Sequence, residues 1–300
     1  MALHIVKSSE PMLVERINLC IYAQPGVGKT SLAFTAEDPL VLDFDKGSYR
    51  SANRKDSVVV NSWADVESMT ADDLSPYKTI VLDTAGRAID SLATDIIKKN
   101  PKMGKGGGAL SLQGFGELKG RYQAFSRQLN SFGKDLVLVC HMDEQRNGDD
   151  VIERLDAQGS SKGEIYKSVD AMGRIFVRNG KRFLDFSPRE GSFGKNPAQM
   201  PELEFQHPNL KPRFLAETIQ AIKATLNHMS EEQTAAQKLS DEWALAIADF
   251  TTVEEFNNTI PSIKRAPKGT QALFNKAAVT KGFHFDEKAK LYQEAQRATA

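Results

Sequence analysis

The octet AQPGVGKT, residues 23–30, constrains this chain more than any other stretch. An apolar run over residues 17–22 precedes it and a helix-forming run begins at Lys29, so the octet sits at a strand-to-helix turn. Consecutive backbone N–H groups at such a turn point inward, and the positive end of the following helix dipole faces the same space. Gly26 and Gly28 permit the backbone angles and the close approach that a phosphate needs. Residues Gln24, Pro25, Gly26, Val27, Gly28, Lys29, Thr30 and Ser31 are therefore the expected nucleotide contacts, with Lys29 reaching the β- and γ-phosphates and Thr30 placing its hydroxyl on magnesium. Ala23 stands where a glycine is usual, but no phosphate-contacting group is lost. A chance strand–turn–helix is the bland alternative, and the register of strand, loop and helix together outweighs it. ATP and Mg2+ are the expected ligands.

Two further apolar runs end in acids. TIVLD, residues 79–83, brings Asp83 to the end of a strand, where it can hold magnesium through a water or cap the next helix, with Thr84 as a second polar contact. LVLDFD, residues 40–45, offers Asp43 and Asp45 only a short way past Lys29. Alternation places both on one face, with Asp45 nearer the C-terminal strand edge where open α/β sheets bind ligands. An acid there can polarise the water that attacks a γ-phosphate, so Asp45 is the expected general base and Asp43 the reserve.

Short apolar runs alternate with helical patterns over the first 230 residues or so, the signature of a mostly parallel sheet flanked by helices. Further strands are expected at 58–60 and 135–141, helices over 89–97, 115–132 and 214–226, and a hairpin turning at Asn179-Gly180. Residues 98–114 and 143–168 lack an apolar rhythm and read as long loops. The expected organisation is a core over 1–228 and a small helical region over 229–300, with helical patterns near 231–249, 253–259, 270–281 and 286–297. Thr252 and Glu255 stand at capping-box spacing.

Lysine plus arginine balance aspartate plus glutamate, 39 against 39, so bulk charge announces no nucleic-acid partner. Local charge does more: residues 98–121 carry Lys98, Lys99, Lys102, Lys105, Lys119 and Arg121 against Glu117 alone. A second basic excess lies in 261–300, where a solvated helix face is an equal reading. No apolar run is long enough to span a bilayer and the first 16 residues are charged, so a cytoplasmic protein without membrane contact is expected, in the host cytoplasm if phage-encoded. Cys20 and Cys140 lie inside strand-like runs and read as small core residues rather than metal ligands.

On residues 23–30, 40–45, 79–83 and the polar-ended run 136–141, the chain resembles the RecA-like P-loop ATPases, and within them phage ATP-binding proteins of single-strand annealing and recombination. The resemblance covers roughly residues 15–225. It implies a RecA-like α/β P-loop core, with Asp45 as catalytic carboxylate where many members carry glutamate, and His141 as the γ-phosphate sensor. It also implies two DNA-binding loops. In the first, Lys99, Lys102 and Lys105 would meet single-stranded DNA; in the second, Arg146 and Lys162. Such ATPases complete the site across a subunit interface, which implies a homo-oligomeric ring or filament with Lys162, Lys167, Arg174 or Arg178 acting on a neighbour. A single-strand-binding protein is a further implied partner. Two other readings stay open: a helicase loader or other DNA motor, and a nucleotide-gated adaptor that recruits a replication or recombination partner through the helical tail.

Overall fold

Apolar runs without polar alternation are satisfied as strands covered on both faces. The computed structural model, which describes residues 6–7, 10–147, 150–157 and 161–294 and leaves aside the side chains of residues 146, 147, 150, 161 and 162, builds them so. Its contacts define two units, residues 14–226 and residues 227–300 with the N-terminal segment up to Leu13.

In the first unit the elements run β1 (Asn18–Ala23), α1 (Lys29–Ala33), β2 (Pro39–Asp43), β3 (Ser57–Val59), α2 (Ala64–Glu67), β4 (Thr79–Asp83), α3 (Ala85–Lys99), α4 (Leu112–Ser131), β5 (Asp135–Asn147) and β6 (Asp150–Leu155). There follow α5 (Ser161–Ser168), β7 (Ala171–Arg178), β8 (Lys181–Asp185), β9 (Leu203–Phe205) and the start of α6 (Phe214–Asp249). The sheet order is β3-β2-β4-β5-β1-β7-β8-β9, parallel through β7 and antiparallel beyond it, with β6 pairing β5. This is an α/β core: a mostly parallel sheet with helices on both faces.

Alternate strand residues serve opposite helical layers. Tyr22, Leu42, Leu82 and Leu138 join one core with Leu92 and Ile96 of α3 and Leu118 and Leu129 of α4. Ile21, Val41, Val81 and Val137 join the other with Leu32 of α1 and Leu215, Ile219 and Ile222 of α6. Truncating one of these side chains, such as Leu138→Ala, removes about 2–5 kcal/mol of stability. Strand register then fixes the functional edge: Asp43 pairs with Asp83, Asp83 with Val139, and Ala23 with His141. The C-terminal ends of β2, β4 and β1 therefore lie beside residues 139–141 of β5.

Local signals explain the element ends. The apolar series Ala85, Ala88, Ile89, Leu92 and Ile96 forms the buried stripe of α3, and Lys98 and Lys99 complement its C-terminal dipole. Ser111 caps α4 by accepting the Gly114 amide at 3.1 Å, and Gly133, at φ +76°, closes the other end. Asn179 and Gly180 both have positive φ, as a type I′ turn between β7 and β8 requires.

Four expectations are corrected. The stretch 143–168 is not a loop: β5 runs on to Asn147 and pairs with β6, and α5 follows. The inward Leu155 and half-buried Ile152 supply what the polar composition hid. The segment 98–114 is built of turns rather than unstructured, with Lys105 N–H donating to Ala109 O at 2.7 Å and Ser111 N–H to Met103 O at 2.8 Å. A short strand, β9, forms where none was expected, and α6 is one continuous helix where two were expected.

The fourth correction falls in the second unit. After α7 (Val253–Ile263) and α8 (Thr270–Thr280), a helix was expected over 286–297, but β10 (Phe283–Asp286) and β11 (Leu291–Glu294) form an antiparallel hairpin, and 295–297 lie outside the described residues. Asp286 decides this by accepting the Lys288 and Ala289 amides at 2.8 and 3.1 Å, which closes the turn. Phe283 and Tyr292 then pack on Phe256, whose ring also meets Phe274 at 5.0 Å. Thr252 and Glu255 form the capping box at the start of α7. Among the described residues no helix is long and apolar enough to cross a membrane.

Candidate functional site

Residues 24–28 turn the chain from β1 into α1, with Gly26 at φ +81° and Gly28 at φ +101°. Both angles are strained for any residue with a side chain, which is why glycine stands there. Lys29 is only 5% exposed, and its Nζ donates to the carbonyls of Ala23 at 3.0 Å and Gln24 at 2.8 Å. Burial pulls its ammonium below the ordinary lysine range, while the Asp83 carboxylate opposes that pull.

Thr30 Oγ1 donates to Asp83 Oδ2 at 2.6 Å, joining α1 to the end of β4. Asp83 is 3% exposed, and its carboxyl is pushed up to about 6, first by burial and then by the nearby Asp43 and Asp45 charges. The Thr30 hydrogen bond and Lys29 act the other way. A hydroxyl and a carboxylate in contact, the latter buried and short of positive charge, are the hard oxygen donors that suit Mg2+. The residues fit that ion.

The two acids after β2 separate into different roles. Asp43 is 1% exposed, and its carboxylate accepts the Gly47 amide at 3.1 Å and the Ser48 amide at 2.9 Å. It holds the turn. Asp45 instead opens into the cavity: Oδ2 lies 3.4 Å from His141 Nε2 and Oδ1 lies 3.5 Å from Arg87 Nε. The Phe44 and Asp45 amides both donate to Asp83 O, at 2.7 and 3.2 Å, so the segment bearing Asp45 is tied to the strand bearing Asp83. The result is one cavity of about 560 Å³ lined by Gly26, Gly28, Lys29, Thr30, Asp45, Asp83, Thr84 and His141 among others.

The remaining loop residues are accounted for. Ser31 Oγ accepts the Ala52 amide at 3.1 Å, Gln24 hydrogen-bonds Glu144, Val27 packs on the core and Pro25 lies at the cavity mouth. Of the residues expected to meet DNA, Lys99 is held by Glu67 at 2.8 Å and Asp95 at 3.0 Å, and Arg121 pairs with the same two acids. Part of the basic excess in 98–121 is thus neutralised within the fold. Lys102 and Lys105 are exposed and form no ion pair among the described residues. Arg146 lies on β5 opposite Val151 and Lys162 lies on α5, and both side chains are outside the described set. Three of the four residues expected to serve a neighbour are also paired: Lys167 with Glu164 at 3.9 Å, Arg174 with Glu153, and Arg178 with Glu202.

Three arginines at the site escaped sequence reasoning. Arg87 lies one helical turn past Asp83, a spacing that could have found it. Arg50 lines the cavity from the turn after β2. Arg182 comes from β8, and its Nη1 lies 2.7 Å from where a Cβ on Gly28 would be. No short-range pattern links Arg182 to residues 23–30.

The family model described as AAA domain matches residues 15–198, more than half of the chain. No curated protein matches it.

Proposed function

Since the chain belongs to the AAA domain family of P-loop ATPases, we propose that it hydrolyses ATP to ADP and phosphate and couples that cycle to single-stranded DNA, in annealing or strand exchange of the phage recombination type. The observation that carries the reading is the meeting of Lys29, Thr30, Asp83, Asp45 and His141 around one cavity. Lys29 exchanges its two carbonyl partners for β- and γ-phosphate oxygens. Thr30 and Asp83 would hold a magnesium ion, which would supply positive charge against those oxygens. Asp45 accepts a proton from the attacking water, and Arg87 together with His141 keeps its carboxylate oriented. His141 would sense the γ-phosphate, a reading supported by its ring nitrogen lying 3.4 Å from Asp45 at the same cavity.

Support for the DNA partner comes from α3. The helix starts beside Asp83 and Thr84, carries Arg87 in its first turn, and ends at the turns that expose Lys102 and Lys105. Those turns can order or release with the state of the nucleotide. Homo-oligomerisation and a single-strand-binding protein as partner belong to the same reading. The test is ATP turnover with and without single-stranded DNA, alongside duplex formation from complementary strands. DNA-stimulated turnover and annealing are expected. Turnover unaffected by DNA, with no DNA binding at low salt, removes the DNA role.

A nucleotide-gated adaptor is the second reading, favoured by the separate aromatic core of the second unit. Asp45→Asn distinguishes the two, because an adaptor needs only bound nucleotide and keeps its function in that variant.

A further inference from the structure

Two arginines approach the phosphate site from opposite sides of β1: the Arg182 guanidinium lies beside Gly28, and Arg50 lines the cavity with its guanidinium beside Gly47 and 5.3 Å over the Tyr49 ring. In sheet order, Arg50 follows β2, three strands to one side of β1, and Arg182 starts β8, two strands to the other. Because β8 runs antiparallel to β7 and pairs Lys181 with Arg178, its first residues lie at the same edge as the C-terminal ends of the parallel strands. The two arginines are thus delivered to the ligand edge by topology.

The Arg182 side chain is held in place, and Arg50 stands in a pinned turn. Arg182 Cζ lies 5.2 Å over the ring of the buried Phe205, and its Nη1 occupies the space beside Gly28. Arg50 lines the cavity with Lys29 and Asp45, in a turn pinned at one end by the Ser48 amide on Asp43 and at the other by the Ala52 amide on Ser31 of α1.

Neither has a carboxylate partner among the described residues. Their neighbours do: Arg87 pairs with Asp45 and Asp90, Arg174 with Glu153, Arg178 with Glu202, and Arg189 with Asp185. Charge gives the unpaired groups a use. The cavity already holds the Asp45 and Asp83 carboxylates against Lys29, and a bound triphosphate adds several negative charges more. Planar guanidinium forks suit phosphate oxygens.

We propose that Arg50 and Arg182 are nucleotide-phosphate ligands supplied by the chain itself, closing on a nucleoside triphosphate from the two sides of residues 24–28. This rests on the ATPase reading and deepens it: the cations of the site come from the same chain, rather than from the paired arginines expected to serve a neighbour.

The test measures binding of a fluorescent ATP analogue to the full chain and to Arg50→Gln, Arg182→Met and the double variant, with Lys29→Ala as reference and thermal melting as the check on folding. Methionine keeps an apolar stem against Phe205, so the fold survives the loss of charge. Each single variant should bind about tenfold more weakly and the double about 100-fold. Arg50→Lys and Arg182→Lys should fall between wild type and the neutral variants, since an ammonium keeps charge without the fork. A purely structural role would not produce this graded rescue. Binding by the double variant within twofold of wild type, while Lys29→Ala loses it, overturns the assignment alone. Absence of binding by wild type overturns the ATPase reading and this assignment with it.

Discussion

Replacing Asp83 by asparagine should stabilise the nucleotide-free protein, and increasingly so as pH rises. The carboxyl is 3% exposed and is pushed from an ordinary 3.8 to about 6, burial being the largest cause. At 1.36 kcal/mol per pH unit, keeping it ionised at neutral pH costs about 3 kcal/mol of folding stability. The sign follows from the raised folded-state value. The favourable contribution is complete below the unfolded value of 3.8 and is lost as pH climbs through about 6. Asparagine keeps an oxygen that can accept the Thr30 hydroxyl and never ionises. The variant's advantage should therefore widen by about 1.4 kcal/mol between pH 5 and pH 8, roughly 3–6 °C in melting temperature for a unit of this size. Thermal melts of both proteins at pH 5, 6, 7 and 8 without nucleotide measure it directly. Magnesium with ATP should stabilise wild type and leave the variant unmoved. An advantage that stays constant or shrinks with rising pH would refute the claim that Asp83 is held ionised against its surroundings.

The other residues make separable predictions. Lys29→Ala should weaken ATP binding about 100-fold or more in a titration, because two charge-assisted contacts to phosphate are lost. Asp45→Asn should bind ATP nearly as wild type does while turnover falls about 10²–10⁴-fold, and equal losses of both would argue against a general base. Asp43→Ala should instead lower the melting temperature, by about 1–3 kcal/mol of stability, since the Gly47 and Ser48 amides lose their acceptor. Changing Lys102 and Lys105 together to glutamine should flatten the salt dependence of single-stranded DNA binding by about one to two in slope without moving the melt, whereas Lys99→Gln should disturb the Glu67 and Asp95 pairs more than it disturbs DNA binding.

Much of this was legible in the chain itself. The strand at 79–83, the helical stripe over 89–97, the turn at Asn179-Gly180 and the octet ending at Thr30 are all local events, and steric and hydrogen-bonding rules act within a few residues. Reading was weakest where tertiary partners override composition. The polar stretch after His141 becomes a hairpin because β5 can extend and pair with β6, and the stretch after Thr280 becomes a second hairpin because Asp286 closes a turn and Phe256 offers an aromatic surface.

The site divides the same way. Residue types and strand-end positions named Lys29, Thr30, Asp83 and Asp45, and the family resemblance added His141, since a parallel sheet brings strand ends to one edge whatever their separation in the chain. Alternation could not separate Asp43 from Asp45, because the direction of a carboxylate just past a strand depends on which amides the following turn presents. Charge counting could not tell Lys99 from Lys102, because pairing depends on acids such as Glu67 that are distant in sequence. Arg182 was beyond any local rule. Only the order of strands, with β7 and β8 folded back beside β1, carries its guanidinium to Gly28.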